Sequence, residues 1–427
     1  MSETTTRIPE EKARIGAPSI PGFTEEGENL SPLNETAASA PLAGDSVKGH
    51  SHGGGAGVPD SSRAGRMASY KLEDFAPLTG REEDWRFTPL KRMGGLHTAE
   101  LTGPAPKLEL SGSEKVTITT VPAGDKLRGV VATPDDRVSA NAWKHAAEAS
   151  VLTIPANSEG IKSTLRITGE SLEASAQHII VIAQENSEAM LVLDHVGSAV
   201  LSQNIEFEVR SGAKLTVVSL QAWEDDAIHA SSQQASVAKD AHFKHIAISF
   251  GGDLVRVNPS ASFAGERGEV EFYGLYFADA GQHLEHRLFV DHNLPNCKSN
   301  VLYKGALQGQ DAHTVWVGDV LIRKEASGTD SYEANRNLVL TDGTRTDSIP
   351  NLEIETGLID GAGHASTTGR FDDEHLFYLM SRGIDEKTAR RLVVRGFLNE
   401  VVQQIGDEQL EERLTDLIEE ELAVTNS

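Results

Sequence analysis

The chain has 427 residues, with 64 Asp plus Glu against 39 Lys plus Arg and a formal net charge of −25. That acid excess disfavours nucleic acid and anionic membrane surfaces, which both call for clustered cations. A single cysteine, Cys297, excludes an intrachain disulfide and a cluster held by this chain's thiolates alone, since such clusters take about four.

Charged residues make up 24% and apolar residues 38%, as in a soluble globular protein long enough for two or three domains. No apolar run reaches roughly 18 residues, so no transmembrane helix is expected. The start, MSETTTRIPEEKARIG, lacks a basic-then-apolar signal pattern, and the cytoplasm is the expected location.

Residues 1–66 are rich in Gly, Ser, Ala, Pro and Glu and carry no apolar periodicity. They read as a disordered extension, because such a composition cannot bury enough surface to offset ordering entropy. His50 and His52 offer at most weak metal binding there. Residues 67–160 read as a mixed region of short helices and strands. Phe75, Leu78, Trp85, Phe87 and Leu90 stand among charges, with a turn at Thr79-Gly80, and are expected to anchor the segment to a core. ANAWKHAAEASVL (140–152) has helical composition.

From 161 to 370 the pattern is period two: HIIVIAQ, AMLVLDHV, NIEFEVR, KLTVVSLQAW, HFKHIAISF, EVEFYGLYF, SNVLYKGAL, HTVWVGDVLI and PNLEIETGLI. Short runs of Val, Ile, Leu and Phe between Gly, Asp, Asn and Ser are strand signals. About 200 residues of strands without an intervening helix exceed a sandwich and point to a mainly β solenoid of stacked coils.

Within it, His283 and His286 should face opposite sides of one strand, which argues against a joint metal site. Cys297, in NLPNCKSN, reads as a buried structural thiol, with Lys298 beside it as a group able to lower its pKa. Glu353 and Glu355 share a strand face, as solenoid ladders commonly show. His364 lies in a small-residue loop, GAGHAS, where an ion or a second chain could approach closely.

Residues 371–427 return to helix. Asp372 and Asp385 are placed to cap, and Gly383 suits a C-terminal stop. Leu392, Val393 and Phe397, then Leu414, Leu417 and Ile418, belong to one-sided apolar stripes that read as a partner-binding surface. No GxxxxGK[ST], GxGxxG after a strand, or CxxC occurs, so ATP hydrolysis would have to come from a partner.

Several blocks carry a family resemblance. DHNLPNCKSNVLYKGAL (291–307), HTVWVGDVLI (313–322), EANRNLVL (333–340), DSIPNLEIE (347–355) and FYLMSRGIDEKTARRLVVRGFLNEV (377–401) resemble, in order, the blocks of the SufB/SufD family of iron–sulfur cluster assembly. EEDWRFTPL (82–90) resembles the N-terminal block on the SufD side, and the block NRNLVLTDGTRTDSIP lacks the cysteine of SufB-like chains. The resemblance covers roughly residues 70–405.

It implies a right-handed parallel β-helix with N- and C-terminal helical regions. It also implies a non-catalytic scaffold that pairs with a SufB-like chain and binds the SufC ATPase through its C-terminal helices. The expected cofactor state is no tightly bound group on the isolated chain and a transient iron–sulfur cluster at the heteromer interface. His364 would lie near that interface as a cluster ligand or proton relay; the cysteine many SufD chains carry two positions earlier is Ala362 here. The alternatives are a β-helix carbohydrate-active enzyme, against which stands an aromatic content of 5%, a flavin- or other cofactor-binding module, or the SufB-type member of the same family.

Overall fold

The computed structural model describes residues 65–424 except Ala132 and Asp372. Most of the 1–66 extension, with His50 and His52, and the cap expected at Asp372 therefore lie outside the described residues. No described helix is long and apolar enough to cross a membrane.

A short antiparallel lead comes first: β1 (Lys107–Gly112) on β4 (Ile161–Ala183), and β2 (Thr117–Pro122) on β3 (Glu148–Ile154). Helix α1 (Arg137–His145) stands between β2 and β3, with Asp136 closing a capping box with Ser139. The helical composition of 140–152 holds only to His145. Beyond it Ala149, Val151 and Leu152 are drawn into β3 and buried, so packing overrides propensity there.

The remainder is a parallel β-solenoid of about 8 turns. β4 and β5 (Glu188–Val209) are long and cross both walls. The first half of β5 pairs with β6 (Lys214–Trp223) and its second half with β7 (Ile228–Val237). One wall continues through β8 (His242–Ser249), β10 (Glu269–Ala278), β12 (Lys298–Leu307), β14 (Asp330–Val339) and β16 (Gly361–Arg370). The other continues through β9 (Leu254–Phe263), β11 (His283–His292), β13 (His313–Ile322) and β15 (Arg345–Ile354). A coil takes 26 residues from Ile228 to its aligned Leu254 and 32 from His313 to its aligned Arg345. The corners are tight, and Asn186, Asp240 and Asn296 take the left-handed backbone there, as short polar residues do most easily.

Between the walls lies a close-packed lumen of Leu, Ile, Val and Phe with an embedded polar ladder. Gln203 donates to Gln177 and accepts from Ser231, while Gln233 and His245 are joined at 2.7 Å. The N-terminal region covers the outside of the β7–β9–β11 wall. Trp85, Met93 and Leu96 pack there on Val200 and Leu254, and the Arg256 guanidinium lies 3.9 Å from the Trp85 ring centre.

The opposite wall carries the C-terminal helices α2 (Asp373–Ser381), α3 (Glu386–Val402) and α4 (Glu408–Val424). Asp385 caps α3 by accepting from the Thr388 amide, as the sequence indicates. Helix α3 lies on β10 and β12, where buried Lys304 donates to the Phe397 carbonyl at 2.9 Å and pairs with Glu400. Helix α4 is pinned at the far end by Arg413, which reaches Asp194 of β5 at 2.9 Å.

Candidate functional site at the open end of the solenoid

The hydrogen-bonded strand order ends at β15 and β16. β15 is half-buried along nearly its whole length and β16 is half-buried to exposed throughout, whereas β14 before them is mostly buried. Both walls thus finish on edges that present backbone groups along one side.

His364 sits on this edge. It belongs to β16, not to a loop as its small neighbours suggest. Residues 361–370 continue the register of β14, with Glu333 opposite His364 and Asn335 opposite Ser366. An existing strand edge supplies hydrogen bonds to every residue laid along it, and small side chains do not prevent that. The column Val301, Glu333, His364 is aligned across β12, β14 and β16. Val301 is part of the solenoid core, so Glu333 and His364 face the lumen at its open end.

Glu333 is fully buried, yet neither carboxylate oxygen has a hydrogen-bond partner. Burial first, and the Asp319 carboxylate second, push its pKa up to about 8, while the Asn351 backbone amide pulls weakly the other way without forming a hydrogen bond. The Nδ1 atom of His364 stands 3.8 Å from Oε1 of Glu333, and the imidazole is 44% exposed. On the facing wall Gly318 makes room: a Cβ there would fall 2.4 Å from Oε2 of Glu333 and 2.5 Å from the Trp316 ring. Trp316 Nε1 and the Tyr303 hydroxyl are buried without partners in the same part of the core. Beside them Ser366 donates to Ser348 at 2.7 Å and Ser348 to Asn335 at 2.6 Å, tying β16 to β15 across the lumen.

The other sequence candidates are placed as follows. Cys297 is buried in the corner before β12, 3.5 Å from the Pro295 carbonyl. Burial pushes its thiol pKa up, and Lys298 does not lower it. His283 and His286 do face opposite sides: His283 meets Glu285 at 3.1 Å, while His286 meets Ser249 at 3.1 Å. Among the described residues no group of three His, Cys, Asp or Glu side chains is arranged to hold a metal. In the helical region Phe397, Leu414 and Ile418 are buried in the chain's own packing, and Val393 and Leu417 are half-buried. Leu392 is exposed, and with Phe377, Tyr378 and Met380 of α2 it makes up the exposed apolar surface of this region.

Glu333 is the site residue that sequence reasoning missed. In DSYEANRNLV four of the five positions on the inward face are polar (Ser331, Glu333, Asn335, Asn337), with only Val339 apolar at the strand end, so alternation does not show which face is buried. The one signal is an acid in line with the apolar Val301 of the preceding coil.

Comparison with known proteins adds the family. Residues 165–397 match the family described as SUF system FeS cluster assembly, SufBD core domain. The chain belongs to the SufBD family. It is 50% identical over 371 residues to an iron–sulfur cluster assembly SufBD family protein of Mycobacterium tuberculosis, covering 84% of this chain and 93% of that one. A SufBD family protein of Mycobacterium leprae is 49% identical over 374 residues, covering 85% and 95%. The iron–sulfur cluster assembly protein SufD of Escherichia coli is 24% identical over 380 residues, covering 79% and 87%. The SufBD core match runs from β4 to α3 and so takes in both the open end and the start of the helical region.

Proposed function

We propose that this chain is a SufD-type, non-catalytic scaffold subunit of a cytoplasmic SUF-type assembly complex. It pairs through its open solenoid end with a SufB-like chain and carries the SufC-type ATPase on its C-terminal helices. One observation carries the reading: among the described residues the solenoid is covered on both outer walls and left with free strand edges at one end, where His364 sits. A second β-helix laid against β15 and β16 would continue both walls and bring its own side chains over His364. The imidazole there ligates iron or relays a proton during transient cluster formation.

The SufD assignment is supported by the similarity to the Escherichia coli SufD and by EEDWRFTPL, which forms the Trp85 anchor. For the ATPase, support comes from the exposed Phe377, Tyr378, Met380 and Leu392. The test is co-expression with a SufB-like chain and the ATPase, followed by anaerobic isolation and iron and sulfide analysis. A three-component complex that carries cluster is expected, with the isolated chain colourless and inactive on ATP. Failure to retain either partner, or stoichiometric cluster on the chain alone, overturns the reading.

A further inference from the structure

A buried carboxylate with no partner is costly, and native folds seldom keep one without a use. Glu333 is such a group: fully buried, with both oxygens unpaired, and separated from the open end by His364. Its surroundings are built around it. Gly318 leaves the space Oε2 occupies, where a side chain would collide with it, and no described residue hydrogen-bonds either carboxylate oxygen.

The distance to His364 is informative. A divalent first-row metal binds imidazole nitrogen and carboxylate oxygen at about 2.0–2.2 Å each, so two such ligands on one ion lie at most about 4.2 Å apart. The observed 3.8 Å between Nδ1 and Oε1 corresponds to an angle at the ion of about 130°, with no movement of either strand. The parallel register of β14 and β16 fixes the two side chains opposite one another. The carboxylate lies deeper and the exposed imidazole shallower, so an ion between them keeps an open side toward whatever closes the solenoid.

We propose that Glu333 and His364 are two ligands of one divalent-iron site, which the chain half-builds and a partner at the open end completes. The proposal rests on the reading of the chain as a cluster-assembly subunit and adds to it a named second ligand. Imidazole with carboxylate suits ferrous iron among the metals such a subunit handles. Two protein ligands alone make a weak site, and the remaining ligands have to come from the partner.

The test uses the full-length chain, anaerobic, with Co2+ as the spectroscopic probe for ferrous iron. His50→Ala and His52→Ala are introduced throughout to remove the imidazoles of the N-terminal segment. Saturable 1:1 binding is expected for this parent, weakened about tenfold or more by Glu333→Gln and by His364→Ala alike. Glu333→Gln should also melt no lower than the parent, because it replaces an unpaired buried acid by a neutral isostere. No saturable binding by the parent overturns the proposal, as does parent-like binding by Glu333→Gln, or a Glu333→Gln variant that melts lower because the carboxylate was structural. If Glu333→Gln binds like the parent while His364→Ala does not, this inference fails and the function of His364 stands. If both bind like the parent, the metal-ligand reading of His364 falls with it.

Discussion

At the scale of single residues, His364 and Glu333 show how one register position separates two kinds of side chain. The imidazole is half out of the fold and contacts its neighbour only at 3.8 Å, so the fold does not depend on it. His364→Ala should therefore change stability by less than about 0.5 kcal/mol while lowering the iron and sulfide content of the co-expressed complex severalfold. Melting temperature and metal analysis on the same preparation check this, and a lowered melting point with normal cluster yield would make the histidine structural. His364 was legible in the sequence because a lone imidazole among Gly, Ala and Ser stands out. Glu333 was not, because the acids of this chain are numerous and only the three-dimensional column shows which of them has been taken from water.

At the scale of elements, the C-terminal helices act both as covering and as a display surface. Their stripes were legible as apolar periodicity, but periodicity does not say which partner a face has. Phe397, Leu414 and Ile418 turn toward the chain's own body, and the exposed apolar residues gather on α2 and the outer side of α3. Phe377→Asp together with Leu392→Asp should abolish ATPase capture in a pull-down and shift the melting point by no more than about 4 °C, since Phe377 is 73% and Leu392 45% exposed. The attachment of α4 is electrostatic at its anchor. Burial alone would raise the Asp194 pKa, but the Arg413 and Arg166 guanidiniums outweigh it and hold the carboxyl below its ordinary value. A depressed carboxylate contributes stability above its unfolded pKa, near 4, and loses it as pH falls through the folded value. Arg413→Ala should cost about 1–2 kcal/mol at pH 7 and nothing once Asp194 is protonated. Amide exchange in α4, followed at pH 7 and in acid, would reveal it; equal protection in both proteins at pH 7 would show the anchor to be inert.

At the scale of the whole molecule, the lumen sets the pH response. His195 is held near pKa 4, and His245, His286 and His292 near 3, all by burial, with His229 lowered as well. In the unfolded chain these groups protonate near 6.5. The contribution of these histidines is therefore complete above about pH 6.5 and falls as pH drops toward the folded values, because the unfolded state binds protons that they exclude in the fold; Glu333, raised to about 8, works in the opposite sense and offsets part of it. Each such histidine adds up to about 1.4 kcal/mol per pH unit in that window. Urea midpoints should fall steeply from pH 7 to pH 5, and a flat profile would mean that the lumen admits charge. The solenoid itself was legible because inward positions repeat as Leu, Val, Ile and Phe over some 200 residues without a helical break. The polar ladder within it was not, since Gln203, Gln233 and His245 look like surface residues until coils stack them.

The C-terminal module also has a mechanical consequence. It leaves the solenoid at β16, the exposed edge, and is clamped again at Asp194, six strand steps away through β14, β12, β10, β8 and β6 to β5, or about 29 Å at the usual strand spacing. It is a strap laid along the wall, held at Asp194 at one end and at Lys304 partway. Any load placed on α2 and α3 is resisted at Asp194 and Lys304, and what they do not hold reaches the end of β16 at Arg370, six residues along the chain from His364.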